Sequence, residues 1–241
     1  MKKLVPLLAL AVTACRPATL DRDLKDIPGL TLHALYDGAS EETVLLKYDS
    51  PAGSSCYRIP AETSLTVNGE AFTLDKRGEL YDTPSGFFGC EFPRFKGPVR
   101  PAEEPLTDYV LSDGKSSLRA SFKQLHAARG FRIKVNGVEQ TNTLRNGSAV
   151  DIEWFPVTDI IDGAQVTLRL DGTPEGEEDT YTIQGLRVDA NHIRFVLDVR
   201  RLGNFTLRVT AQGQAGVESC EGFTSCQGDF VEEVRIPMTI E

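Results

Sequence analysis

The 241-residue chain is poor in histidine, tryptophan and positive charge. Its three histidines, His33, His126 and His192, stand alone, with no His-x-x-x-His spacing and no glutamate beside them. A zinc-hydrolase helix is therefore excluded. No Gly-x-Ser-x-Gly elbow and no glycine-rich phosphate loop occurs, which removes the common nucleophilic and nucleotide-binding signatures. Basic residues number 26 against 35 acidic ones, a net charge of −9 without a local basic cluster. Such a surface repels nucleic acid, so no nucleic-acid partner is expected. Long apolar runs are missing too. The run Leu4 to Val12 covers nine residues, well short of the roughly 20 that a membrane-spanning helix needs.

That short run has a context. Lys2 and Lys3 precede it, and the combination fits a secretory signal. It stops at Val12-Thr13-Ala14-Cys15, which resembles the lipobox of bacterial lipoproteins. The resemblance implies a signal over residues 1–14, cleavage before Cys15, and palmitate-type acylation of Cys15 that seats the chain in a lipid bilayer. Two or three acyl chains would hold it firmly, since each buried methylene contributes about 0.8 kcal/mol. The residue after Cys15 is Arg16 and not aspartate, which by the same resemblance favours the outer membrane of a Gram-negative envelope. Loss of Lys2 and Lys3 takes the net charge from −9 to −11. Residues 15–28 are polar and charged at first and read as a lipidated tether.

Five cysteines become an even set once Cys15 is assigned to lipid. The remaining Cys56, Cys90, Cys220 and Cys226 allow three pairings. Proximity favours Cys56–Cys90 and Cys220–Cys226, contributing about 4 and about 2 kcal/mol on the chain-entropy view. A metal site lacks a Cys-x-x-Cys or a neighbouring histidine, and no cofactor is expected.

Beyond residue 29 the dominant pattern is period two, the mark of half-buried strands. Val150, Ile152 and Trp154 share a face, as do Val166, Leu168 and Leu170. So do Ile193, Phe195, Leu197 and Val199, then Phe205, Leu207 and Val209, and finally Val234, Ile236, Met238 and Ile240. Val67-Asn68-Gly69 and Val135-Asn136-Gly137 predict tight type I′ hairpins. Residues 116–129 suit either a short helix or a strand. Three prolines within residues 97–105 break any central strand there. We therefore expect an all-β fold of antiparallel β-sandwiches, with an N-terminal β domain at 29–97, a Pro-rich linker at 98–105 and a second domain at 106–241. The lone Trp154 on an early strand, Pro156, and the evenly spaced strands that follow resemble immunoglobulin-like domains of bacterial surface proteins, which implies two Ig-like domains in tandem.

Polar clusters are few. Residues 171–180 hold Asp171, Glu175, Glu177, Glu178 and Asp179, read as a solvated hairpin tip, with calcium binding as the alternative. Asp151 and Glu153 lie on the polar side of their strand. Phe87 and Phe88 either pack on the Cys90 bridge or present a glycan-binding surface. The expected function is a non-enzymatic, membrane-anchored envelope lipoprotein that binds or scaffolds a protein or glycan, at the cell surface or in the periplasm. The alternatives are an envelope hydrolase and an accessory subunit of an envelope complex.

Overall fold

The computed structural model describes residues 18–37, 41–49, 55–82, 88–98, 105–139, 143–145, 147–156, 160–161, 163, 166–171, 181–199 and 203–241. The N-terminal half carries β1 (Thr19–Asp21), β2 (Thr31–Asp37), β3 (Glu41–Lys47), β4 (Cys56–Arg58), β5 (Ser64–Val67), β6 (Glu70–Lys76), β7 (Glu79–Asp82), β8 (Phe88–Glu91) and β9 (Arg94–Pro98). Next come β10 (Leu106–Ser112), β11 (Ser117–Lys123), β12 (Gly130–Val135), β13 (Val138–Glu139), β14 (Thr143–Leu144) and β15 (Ser148–Phe155). The last are β16 (Ile160–Ile161), β17 (Thr167–Asp171), β18 (Tyr181–Asp189), β19 (His192–Val199), β20 (Gly203–Glu221) and β21 (Ser225–Ile240).

Nine of these strands close a barrel in the order β21-β2-β3-β9-β6-β5-β10-β11-β20, with β20 returning to β21. Strand directions can alternate all the way round a ring only when the strand number is even. With nine, one seam must be parallel, and it is β2 against β21, pairing Thr31 with Ser225 through Asp37 with Val231. The other barrel pairings are antiparallel. The all-β expectation agrees with this structure, whereas tandem Ig-like sandwiches do not. Strands from both sides of residues 98–105 enter one closed barrel, as β10 pairs with β5. Closure satisfies the edges that a sandwich leaves open.

Inward positions follow the alternation. Leu32, Ala34, Val44, Leu46, Leu65, Phe95, Tyr109, Leu111, Ala120 and Phe122 are at most 1 % exposed and form one core. Gly228 belongs to this interior for a steric reason: a Cβ there would stand 2.8 Å from the Phe122 ring. Both predicted Asn-Gly turns are present. Asn68 and Gly69 have φ of 48° and 82°, and Asn136 and Gly137 have 50° and 81°, as a type I′ turn requires. Within residues 116–129 the alternation wins over the helical spacing, because Leu118, Ala120 and Phe122 all face the barrel interior from β11.

A second core lies beside the barrel. β20 runs for 19 residues and β21 for 16, so both project past it. There β17 and β14 join their outer edges. A separate sheet, β13-β12-β15-β19-β18, packs Val150, Ile152, Trp154, Ile193, Phe195 and Leu197 against Phe205, Leu207, Val209, Ile236 and Met238. Trp154 is fully buried in this layer.

The described part of the expected tether is docked. β1 pairs with β4, and a 3₁₀ turn at Leu24–Asp26 buries Leu24 in the barrel core. Asp113 holds that turn by accepting the Leu24 amide at 2.9 Å, together with the amides of Lys115 and Ser116 and the Ser116 hydroxyl. Burial opposes ionisation of Asp113, but these donors outweigh it and hold its pKa down to about 2. The ordinary carboxyl titrates near 3.9 in an unfolded chain. The contribution of Asp113 is therefore complete above about pH 4 and fades as the pH falls towards 2. Asp113→Asn should lose about 2 kcal/mol at neutral pH, with the gap to wild type closing near pH 2 in urea titrations.

Candidate functional site

The described sequence-predicted residues fall at separate places. Cys56 bonds Cys90, tying β4 to β8, and Cys220 bonds Cys226 where β20 turns into β21. Cys15 with the preceding Val12-Thr13-Ala14, and residues 172–180, lie outside the described residues, as does Phe87. Asp171 accepts from Arg208 at 2.6 Å. Phe88 is 47 % exposed on β8, two residues before Cys90. His192 Nδ1 lies 2.9 Å from Asp151, which also accepts from Arg194, while Glu153 faces Lys134. These form the polar outer face of the five-stranded sheet. Burial works to raise the Asp151 pKa, but His192 and Arg194 outweigh it and lower it. His33 Nε2 stands 2.7 Å from Asp229, and Gln227 donates to the same carboxylate. Among the described residues no three or more His, Cys, Asp or Glu gather to hold a metal ion.

The most unusual chemistry sits inside one mouth of the barrel. Glu42 occupies an inward position between Tyr36, its cross-strand partner, and the Val44 side of β3, and it is 0 % exposed. The Tyr109 hydroxyl donates to Glu42 Oε1. His126 Nε2 stands 2.7 Å from Glu42 Oε2, 3.5 Å from the Tyr109 oxygen, and its ring lies 4.8 Å from that of Tyr36. A buried carboxyl group needs partners for its oxygens: Oε1 has the Tyr109 hydroxyl, whereas Oε2 lies close to His126 without a hydrogen bond of good geometry. Burial pushes the Tyr109 hydroxyl well above its ordinary range, and the Glu42 charge adds to this. Tyr109 thus donates a proton without losing it.

His126 reaches this position on residues 124–129, which leave β11 and fold across the mouth. Leu125 is buried in the barrel core. Gln124 takes a left-handed backbone, φ 56°, and its amide binds the Pro105 carbonyl at 2.9 Å. Arg129 braces the plug from within by donating to the carbonyls of Gln124, Leu125 and Ala127. Its guanidinium also lies 3.5 Å from the centre of the Phe230 ring. At the rim, burial raises the Glu232 carboxyl while Arg129 opposes the shift. Beside the plug opens a cleft of about 490 Å³, lined by Leu106, Ala215 and Gly216 together with Lys123, Gln124 and Glu218.

The sequence did carry a signal for this cluster. In Glu41-Glu42-Thr43-Val44-Leu45-Leu46, Glu42 shares the parity of Val44 and Leu46, an acid on the apolar side of a strand.

No family model and no curated protein matches the chain. Neither the lipoprotein resemblance nor the Ig-like one therefore has a relative behind it, and the closed barrel replaces the Ig-like architecture.

Proposed function

We propose that the protein is a non-catalytic binding or scaffolding module of the cell envelope, lipid-anchored through Cys15, which holds its partner at the cleft beside the plug. The cleft carries this reading. Its lining mixes apolar Leu106 and Ala215 with polar Lys123, Gln124 and Glu218, a composition suited to recognition. Two disulfides favour an oxidising compartment, and with four cysteines paired the thiol of Cys15 is left for another use. In the mouth, Tyr109 donates to Glu42 and lies within hydrogen-bond distance of His126, and none of these three is a nucleophile waiting on a base.

A photo-crosslinking amino acid at Leu106 in the full chain should yield a discrete adduct in intact cells, while one at Lys25, on the far end of the barrel, should not. Cys15→Ser should move the protein from the membrane to the soluble fraction. Identical adduct patterns at the two positions would remove the cleft from the proposal, and an unchanged fractionation would remove the anchor.

A further inference from the structure

One edge of β21 changes neighbours along its length. Its first half pairs with β2, up to Val231 opposite Asp37, and its last residues pair with β14, where Thr239 faces Thr143 and Ile240 faces Leu144. Over residues 232–238, between these two, no described strand pairs with that edge, although β20 pairs with the opposite edge there. The gap is roughly 20 Å long at about 3.3 Å per residue.

The backbone groups facing the gap can be assigned. Successive residues of a strand turn their N–H and C=O to opposite edges. The Glu241 amide donates to the Leu144 carbonyl at the β14 edge, and the pairing of β21 with β20 runs from Ile240 to Gly228 without a register shift. Odd-numbered residues therefore point away from β20. Glu233 and Arg235 turn both backbone groups into the gap, where they meet no partner among the described residues. Pro237 fits the same parity, because a residue on this side needs no N–H for the β20 ladder.

We propose that residues 232–238 form an acceptor slot for β-strand addition, which takes a short extended segment of a partner protein. The exposed chemistry selects the occupant. Amides and carbonyls repeating every second residue along an edge are matched by another extended backbone. The slot is closed by β2 at one end and β14 at the other, so the segment must be short and its flanks must leave the sheet. A second copy of β21 does not qualify: that strand runs from Ser225 to Ile240, and its ends would collide with β2 and β14 of the facing copy. Val234, Ile236 and Met238 turn to the second core, while Glu233, Arg235 and Pro237 are exposed on the other face. A strand continuing this sheet carries apolar and polar residues in the same alternation. Pro237 and the two charges keep the edge from pairing indiscriminately. The slot does not use the cleft beside the plug, and loss of the Leu106 adduct would leave it untouched.

The test follows single amides of the full chain by NMR hydrogen exchange. In the free protein the Glu233 and Arg235 amides should exchange at least tenfold faster than those of Val234 and Ile236, after correction for intrinsic rates. The probe is a synthetic peptide of alternating valine and threonine with lysine ends. Its addition should slow the Glu233 and Arg235 amides at least tenfold, whereas the same peptide with a central proline should not. Arg235→Pro removes one donor that the fold does not use, so it should keep the unfolding midpoint and lose at least tenfold in peptide affinity. Arg235→Ala retains the amide and should keep that affinity. Protected Glu233 and Arg235 amides in the free protein would overturn the slot. So would an unchanged exchange at saturating peptide, equal action of the two peptides, or undiminished binding by Arg235→Pro. If Arg235→Pro fails to fold, the exchange contrast and the peptide pair decide the matter.

Discussion

Truncating Trp154 to alanine should destabilise the protein by about 3–5 kcal/mol, the range for removing a fully buried large aromatic ring. Trp154 is 0 % exposed and shares its face of β15 with Val150 and Ile152. Its core takes side chains from two sheets at once, and the long strands β20 and β21 also belong to the barrel. Local collapse around the cavity is therefore resisted from both sides, which places the cost in the upper part of that range. Trp154→Phe provides the contrast. The indole Nε1 has no hydrogen-bond partner among the described residues although it is buried, so replacing it forfeits packing volume but relieves a stranded donor. The phenylalanine variant should lose less than half of what the alanine variant loses, measured by urea denaturation followed by circular dichroism. Equal losses would show that the indole nitrogen is satisfied and matters.

His126→Ala should cost a similar amount, about 3–5 kcal/mol at neutral pH, because removing one partner of a buried pair leaves the other charge uncompensated. Among the described residues Glu42 would retain only the Tyr109 hydroxyl. His126→Gln, which keeps a side chain able to donate to Glu42, should lose less than His126→Ala in urea denaturation, and equal losses would point to simple cavity formation. Tyr109→Phe removes a neutral donor from the same carboxylate and should cost less, about 1–3 kcal/mol.

Local signals in the sequence were reliable where the physics is local. Alternation located β15, β19, β20 and β21 and assigned their inward residues, since a strand's side chains change face at every step. Asn-Gly marked both tight turns, and the two short cysteine separations anticipated the bridges. The architecture was less legible. Alternation states which side is apolar but not whether a sheet curls until its edges meet, and Thr31 finds Ser225 across nearly the whole chain. Trp154 on an apolar strand is equally at home in an Ig-like sandwich and in the layer described here. The docked segment around Leu24 was hidden by charged neighbours, because Leu24 and Ile27 are two apolar anchors with no period between them. Glu42 was readable as an exception to its strand's pattern, but its partners Tyr109 and His126 are far away in sequence.

The single parallel seam has a consequence for biogenesis. Its two halves, Thr31–Asp37 and Ser225–Val231, are far apart in the chain, so one is synthesised well before the other. Throughout elongation β2 carries an unpaired flank, a template for intermolecular strand pairing. Synthesis of β21 is thus the event that seals the ring, and a chain stopped short of Ser225 would be left as a sticky, open-sided sheet.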